Sequence, residues 1–223
     1  MTTIPFDMIG FDLDGTLLDT HLDLAAAVNH ALSVADRPSV PPSEVRALIG
    51  GGGRTMLRRA LELTGGVDED RFPGLHKALL DYYEANIAVH TTLFPGGLAM
   101  LDALQARGVA LAVVSNKLEV LTRQVIAELG LTERFFTIIG GDTLGPGRAK
   151  PARDPIDAMI ERGGGGKAAF VGDTTFDIGA ARAAQVPCVA VSFGFNDLPA
   201  TELGADAVIH HFDELIPALI KLD

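Results

Sequence analysis

Five short apolar runs, separated by stretches of helical periodicity, restrict this chain to an α/β architecture. The runs are residues 6–11, 109–114, 135–140, 168–172 and 186–191, with a shorter one at 207–209. None shows the apolar–polar alternation of a half-exposed strand, so each reads as a strand covered on both faces. Helices are predicted between and after them, at 95–107, 118–129, 154–162, 175–184 and 212–222. Strands alternating with helices of roughly 10–15 residues predict a parallel sheet with helices on both sides. Residues 19–90 break this rhythm. Helices are predicted there at 21–34, 43–49, 54–63 and 73–89, with breaks at Pro38, Pro41, Pro42 and the Gly50–Gly53 run, and no convincing strand. Asp19 or Thr20 is placed to cap the first of them. The expected organisation is a doubly wound core made of residues 1–18 and 91–223, with an all-helical domain, 19–90, inserted after the first strand.

Composition narrows the partners. With 48% hydrophobic residues among 223, the chain has ample material for a packed core. No run approaches the roughly 18 apolar residues of a membrane span, and the first residues lack a secretory pattern. Cys188, the only cysteine, sits in the apolar context Val186-Pro187-Cys188-Val189-Ala190 and reads as a core residue. These features predict a cytoplasmic protein with no membrane partner; monomer and homodimer are both open. A net charge of −11 without a basic block argues against a nucleic-acid partner. An anionic substrate would then need positive charge concentrated locally, by a lysine, a metal ion or helix N-termini.

In a doubly wound sheet ligands bind beyond the carboxyl ends of the strands, so the residues that end each strand are the candidates. The first strand runs into Asp12-Leu13-Asp14-Gly15-Thr16, two carboxylates two residues apart. Side chains at that spacing share a side of an extended chain, so the charges need a cation, a proton or a bend to relieve them. The second apolar run ends in Ser115-Asn116-Lys117 and the fourth in Gly172-Asp173-Thr174-Thr175-Phe176-Asp177, while Lys150-Pro151 follows the third. Each has an ordinary alternative. Ser115 and Asn116 are also good helix caps, Asp173 and Asp177 suit the first turn of a helix, and Lys150 suits a solvated loop. Lys117 reads as a solvated or edge-orienting residue. What favours a site is that all of them fall at the functional end of their own strands.

The order of these four motifs, Asp12-Leu13-Asp14-Gly15-Thr16, Val114-Ser115-Asn116-Lys117, Lys150-Pro151 and Gly172-Asp173-Thr174-Thr175-Phe176-Asp177, resembles the haloacid dehalogenase superfamily. The helical insertion and Phe94-Pro95-Gly96 after it resemble the phosphoglycolate-phosphatase-like branch, in which the insertion is a cap domain. One departure is Arg153, in Lys150-Pro151-Ala152-Arg153-Asp154-Pro155, where that branch often has a proline.

The resemblance implies a Mg²⁺-dependent phosphatase acting on a small phosphorylated metabolite, 2-phosphoglycolate first among candidates. It implies Asp12 as nucleophile and Asp14 as general acid and base. The metal ligands would be Asp12, the Asp14 carbonyl and Asp173. Phosphate would be held by Gly15, Thr16, Ser115, Asn116 and Lys150, with Asp177 orienting Lys150. In the cap, Arg54 is the candidate specificity residue, with Arg58 and Arg59 weaker versions of the same idea. A phosphosugar mutase, a pyrophosphatase and, from another class, a phospho-accepting signalling receiver share parts of this pattern. The acid at Asp14 favours ester hydrolysis over a preserved signal, because it would speed loss of the phosphoryl group.

Overall fold

The computed structural model describes residues 4–222. In chain order the elements are β1 (Met8–Phe11), β2 (Leu18–Asp19), α1 (His21–Val34), α2 (Pro42–Arg46), α3 (Gly52–Leu63), α4 (Phe72–Ala85), β3 (Thr92–Leu93), α5 (Gly97–Gln105), β4 (Ala110–Val114), α6 (Glu119–Glu128), β5 (Thr137–Ile139), α7 (Asp154–Arg162), β6 (Ala168–Gly172), α8 (Thr175–Ala183), β7 (Cys188–Val191), β8 (Ala207–Ile209) and α9 (Leu215–Lys221). Six strands form one parallel sheet in the order β5-β4-β1-β6-β7-β8. β1 lies at its centre, with Met8 opposite Ala110 on one side and Ala168 on the other.

The two-residue period of the strands divides the core into two layers. Ile9, Phe11, Leu111, Val113, Ala169 and Val171 face one side, with buried residues of α5, α6 and α9. Met8, Ala112, Val114 and Phe170 face the other and pack with α7 and α8, together with Cys188, which is buried as expected. Because the chain crosses to one side of β1 for β4 and to the other for β6, the carboxyl ends of β4, β1 and β6 open onto one crevice. Asp12, Ser115 and Asp173 emerge there.

Helices α1 to α4 lie between β2 and β3. Leu24, Ala27, Val28, Ala31 and Leu32 of α1 share a buried cluster with Phe72, Leu75, Leu79 and Tyr83 of α4. The sequence did not foreshadow the ribbon that joins this segment to the sheet, an antiparallel pair of Leu18–Asp19 with Thr92–Leu93. Strands this short carry no hydrophobic signature; pairing of the two linkers creates them. Buried Asp23 ties the exit linker down, accepting from the N–H of His90 and Thr91 and from the Thr91 hydroxyl. No described helix is long and apolar enough to cross a membrane.

Candidate active site

After β1 the chain turns back on itself: the N–H groups of Thr16, Leu17 and Leu18 all return to the Leu13 carbonyl, and Gly15 donates to Leu18. Gly15 takes φ of 89°, a left-handed conformation that suits glycine. The bend separates the two carboxylates, and each has its own lysine. Asp12 Oδ1 accepts from Lys150 Nζ at 2.6 Å. Asp14 accepts from Lys117 Nζ on both oxygens, at 2.8 and 2.7 Å, and from the Thr20 hydroxyl at 2.8 Å. Thr20 precedes α1, yet its hydroxyl serves Asp14 rather than capping the helix.

At the end of β6, Asp177 and Thr174 form a reciprocal capping box that starts α8. One Asp177 oxygen collects the N–H groups of Asp173 and Thr174 and the Thr174 hydroxyl, and the other accepts from Lys150 at 2.6 Å. Gly172 permits this approach, since a Cβ there would lie 2.3 Å from that of Asp177. Asp173 accepts from the Thr16 hydroxyl at 2.8 Å and from the N–H of Phe195 at 2.7 Å.

Oxygens of Asp12, Asp173 and Asp177 lie within 4.8 Å of one another, all buried, with Lys150 as the ammonium bonded to two of them. Burial pushes Asp12 up to about 7 against the pull of Lys150, with Asp177 adding to the rise. Asp173 is raised well above its ordinary value, first by burial and then by Asp177 and Asp12. Burial works against the charge on Lys150, but Asp12 and Asp177 outweigh it and raise its pKa. More negative than positive charge, presented through hard oxygen donors, is the donor set a hard divalent cation requires. The cluster therefore fits a metal ion.

Several expected roles shift. Lys117 is not solvated: it is 8% exposed, pairs with Asp14, and stands 4.6 Å from the ring centroid of Tyr83 on α4. Asp14 is consequently not a carboxyl free of partners. Gly15 and Thr16 were expected to hold phosphate, but their N–H groups close the turn and the Thr16 hydroxyl serves Asp173. At this edge the N–H groups of Leu13, Asp14 and Asn116 donate to no protein acceptor among the described residues. Ser115 is buried and its hydroxyl accepts only the Lys117 N–H, while the Asn116 amide reaches the carbonyl of Lys150 at 3.0 Å. Arg153 lies away from this cluster, paired with Asp157 on the surface of α7.

A cavity of about 370 Å³ separates the sheet edge from α1, α3 and α4, with Asp12, Asp14, Ser115 and Lys150 at its floor. Gly50 and Gly52, both at positive φ, bring the start of α3 close to Asn116, so that a Cβ on Gly52 would lie 3.0 Å from the Asn116 carbonyl oxygen. Arg54 lines the cavity, its guanidinium 4.8 Å over the Phe72 ring, and makes no hydrogen bond or close ion pair to a carboxylate among the described residues, although its charge reaches Glu69. Arg58 and Arg59 are otherwise engaged, Arg58 with Glu69 and Arg59 with the Leu48 carbonyl. His76, Leu79, Leu80 and Tyr83 also face the cavity. Sequence reading overlooked His76 and Tyr83, although the spacing i, i+3, i+4, i+7 marks one face of α4. Burial and Arg54 lower the pKa of His76.

A family model described as haloacid dehalogenase-like hydrolase matches residues 9–191. A phosphoglycolate phosphatase of Agrobacterium fabrum is 38% identical, over 99% of this chain and 96% of its own length. One from Caulobacter vibrioides is 39% identical, over 96% and 91%. The crystal structure of a predicted phosphoglycolate phosphatase from Haemophilus somnus superposes with a TM-score of 0.89 at 30% identity, covering 96% of this chain and 97% of that one.

Proposed function

Because the chain belongs to the haloacid dehalogenase-like hydrolase family and is a phosphatase, we propose that it hydrolyses a small organic phosphate monoester, 2-phosphoglycolate first among candidates, through a phosphoryl group carried on Asp12. The carrying observation is the division of the strand-end carboxylates between two lysines, Asp12 with Lys150 and Asp14 with Lys117. It gives neighbouring acids different tasks.

Asp12 attacks phosphorus as the bond to the leaving oxygen breaks. The electron pair goes to that oxygen, which takes a proton from Asp14. A water oxygen then attacks phosphorus while Asp14 accepts its proton. The Asp12–phosphorus bond breaks, returning the carboxylate and releasing inorganic phosphate. The N–H groups of Leu13, Asp14 and Asn116 and the Ser115 hydroxyl hold phosphoryl oxygens, and Lys150, oriented by Asp177, offsets their charge. Asp12, the Asp14 carbonyl and Asp173 would hold Mg²⁺, which when bound neutralises phosphate and carboxylate charge. The helical segment 19–90 acts as a cap hinged at the β2–β3 ribbon, closing the cavity to water. Arg54 meets a carboxylate on the leaving group, the feature that favours 2-phosphoglycolate.

Phosphate release from 2-phosphoglycolate and a panel of small esters, with Mg²⁺ and with EDTA, tests this reading. Turnover should require Mg²⁺ and vanish in a folded Asp12→Asn protein. Activity retained in Asp12→Asn would remove the nucleophile assignment. A phosphoryl group recovered on a sugar would move the enzyme to the mutases, and a preference for pyrophosphate would move it to the pyrophosphatases.

A further inference from the structure

We infer that Lys117 is a positioning residue for Asp14, holding the general acid and base in one orientation from beneath the cap; this rests on the reading of Asp14 just given. Lys117 Nζ is engaged on two sides. On one side it meets both oxygens of Asp14, at 2.8 and 2.7 Å, and on another the Tyr83 ring, 4.6 Å to its centroid. Both hydrogen bonds that the ammonium makes go to Asp14. It therefore acts on the reaction through Asp14.

A purely stabilising role accounts poorly for this lysine. Its side chain is 6% exposed and that of Asp14 13%. Buried ion pairs of this kind add little net stability, because desolvating two charges offsets their attraction. What the pair does provide is orientation. Asp14 Oδ1 takes two donors, Lys117 and the Thr20 hydroxyl, whereas Oδ2 takes Lys117 alone. Oδ2 thus keeps a lone pair for the proton that passes to the leaving oxygen and later arrives from water. Tyr83 reaches this pair from α4, while Lys117 and Asp14 belong to the sheet edge, so the helical segment shelters the pair from water.

Lys117→Met tests this with two substrates. 4-Nitrophenolate leaves without needing a proton, so phosphorylation of Asp12 by 4-nitrophenyl phosphate should survive, while the second step, in which Asp14 takes a proton from water, should slow. The expected result is a burst of nitrophenolate equal to the enzyme present, followed by steady turnover reduced on the order of 100-fold. With 2-phosphoglycolate both steps need Asp14, so no burst should appear and the rate should fall at least as far. Lys117→Arg should recover part of the steady rate. Loss of the burst together with the steady rate, in Lys117→Met and Lys117→Arg alike, would mean a structural role and overturn the inference. A Lys117→Met protein with wild-type turnover would overturn it alone, whereas wild-type protein that hydrolyses no phosphate ester would overturn the phosphatase reading as well.

Discussion

Lys150 Nζ lies 2.6 Å from Asp12 Oδ1, and the same nitrogen lies 2.6 Å from Asp177. One ammonium shared in this way compensates Asp12 only in part, and burial pushes its carboxyl up to about 7, from 3.8 in the unfolded chain. Between those values the folded protein holds a proton that the unfolded chain has released. Stability should therefore be fully present below the unfolded value and fall as pH rises toward 7, by about 1.4 kcal/mol per unit for each proton so held. Asp173, also raised, acts in the same direction. Urea midpoints measured in EDTA should decline through the upper half of that window, where exposed carboxylates no longer titrate. Mg²⁺ should restore most of the loss near neutrality. A flat or rising EDTA profile would contradict the assignment.

Replacing Lys150 with methionine should expose the same imbalance more severely. The side chain is 2% exposed and touches two buried carboxylates. Removing one partner of a buried pair costs about 3–5 kcal/mol. That cost should be greatest at neutral pH and shrink in acid, where the carboxylates accept protons. Chemical denaturation of Lys150→Met at the two pH values measures the difference; an equal cost at both would mean that the carboxylates are not its cause.

Much of this site is legible in the sequence, for a definable reason. Asp12, Ser115 and Asp173 end apolar strands, and a parallel sheet places strand ends together. Lys117 was misread because a lysine after a strand is ordinarily solvated. Its burial depends on Asp14 and Tyr83, 103 and 34 positions away in the chain, and no local pattern carries that pairing. Gly15 and Thr16 use their N–H groups in the turn, while those of Leu13 and Asp14 have no protein acceptor among the described residues, for a similar reason. Asp-Gly-Thr announces a turn, but which N–H groups close it depends on the bonds to Leu13 and Leu18. Arg58 and Arg59 shared a helix with Arg54, and only their partners separate them.

Arg46 links the helical segment to the Asp173 side of the site. From α2 its guanidinium donates to the carbonyls of Phe193 and Gly194, at 2.8 and 2.9 Å, and lies 5.1 Å over the Phe195 ring. That loop presents the Phe195 N–H and the Asn196 amide to Asp173. Gly194 is so close to the site that a Cβ would lie 2.4 Å from the Gly15 carbonyl oxygen. Arg46→Ala should cost about 2 kcal/mol from the lost charged hydrogen bonds and ring contact. It should also weaken Mg²⁺ binding, measured by calorimetry without substrate. Unchanged Mg²⁺ affinity would confine Arg46 to stability.

Arg54 should govern substrate choice rather than chemistry. It lines the cavity without a hydrogen bond or close ion pair to a carboxylate among the described residues, and Phe72 supports its guanidinium from one face. A charged hydrogen bond of about 1.5–3 kcal/mol to a substrate carboxylate corresponds to roughly 10- to 100-fold in kcat/KM. Arg54→Ala should therefore lose that much with 2-phosphoglycolate, mainly through KM, and little with 4-nitrophenyl phosphate, which has no carboxylate. Arg58→Ala serves as the control, because Arg58 is tied to Glu69 and does not line the cavity. Equal losses for both substrates in Arg54→Ala would mean that the residue supports the fold of α3 instead. Equal losses in Arg58→Ala and Arg54→Ala with 2-phosphoglycolate would mean that general positive charge, not a defined contact, attracts the substrate.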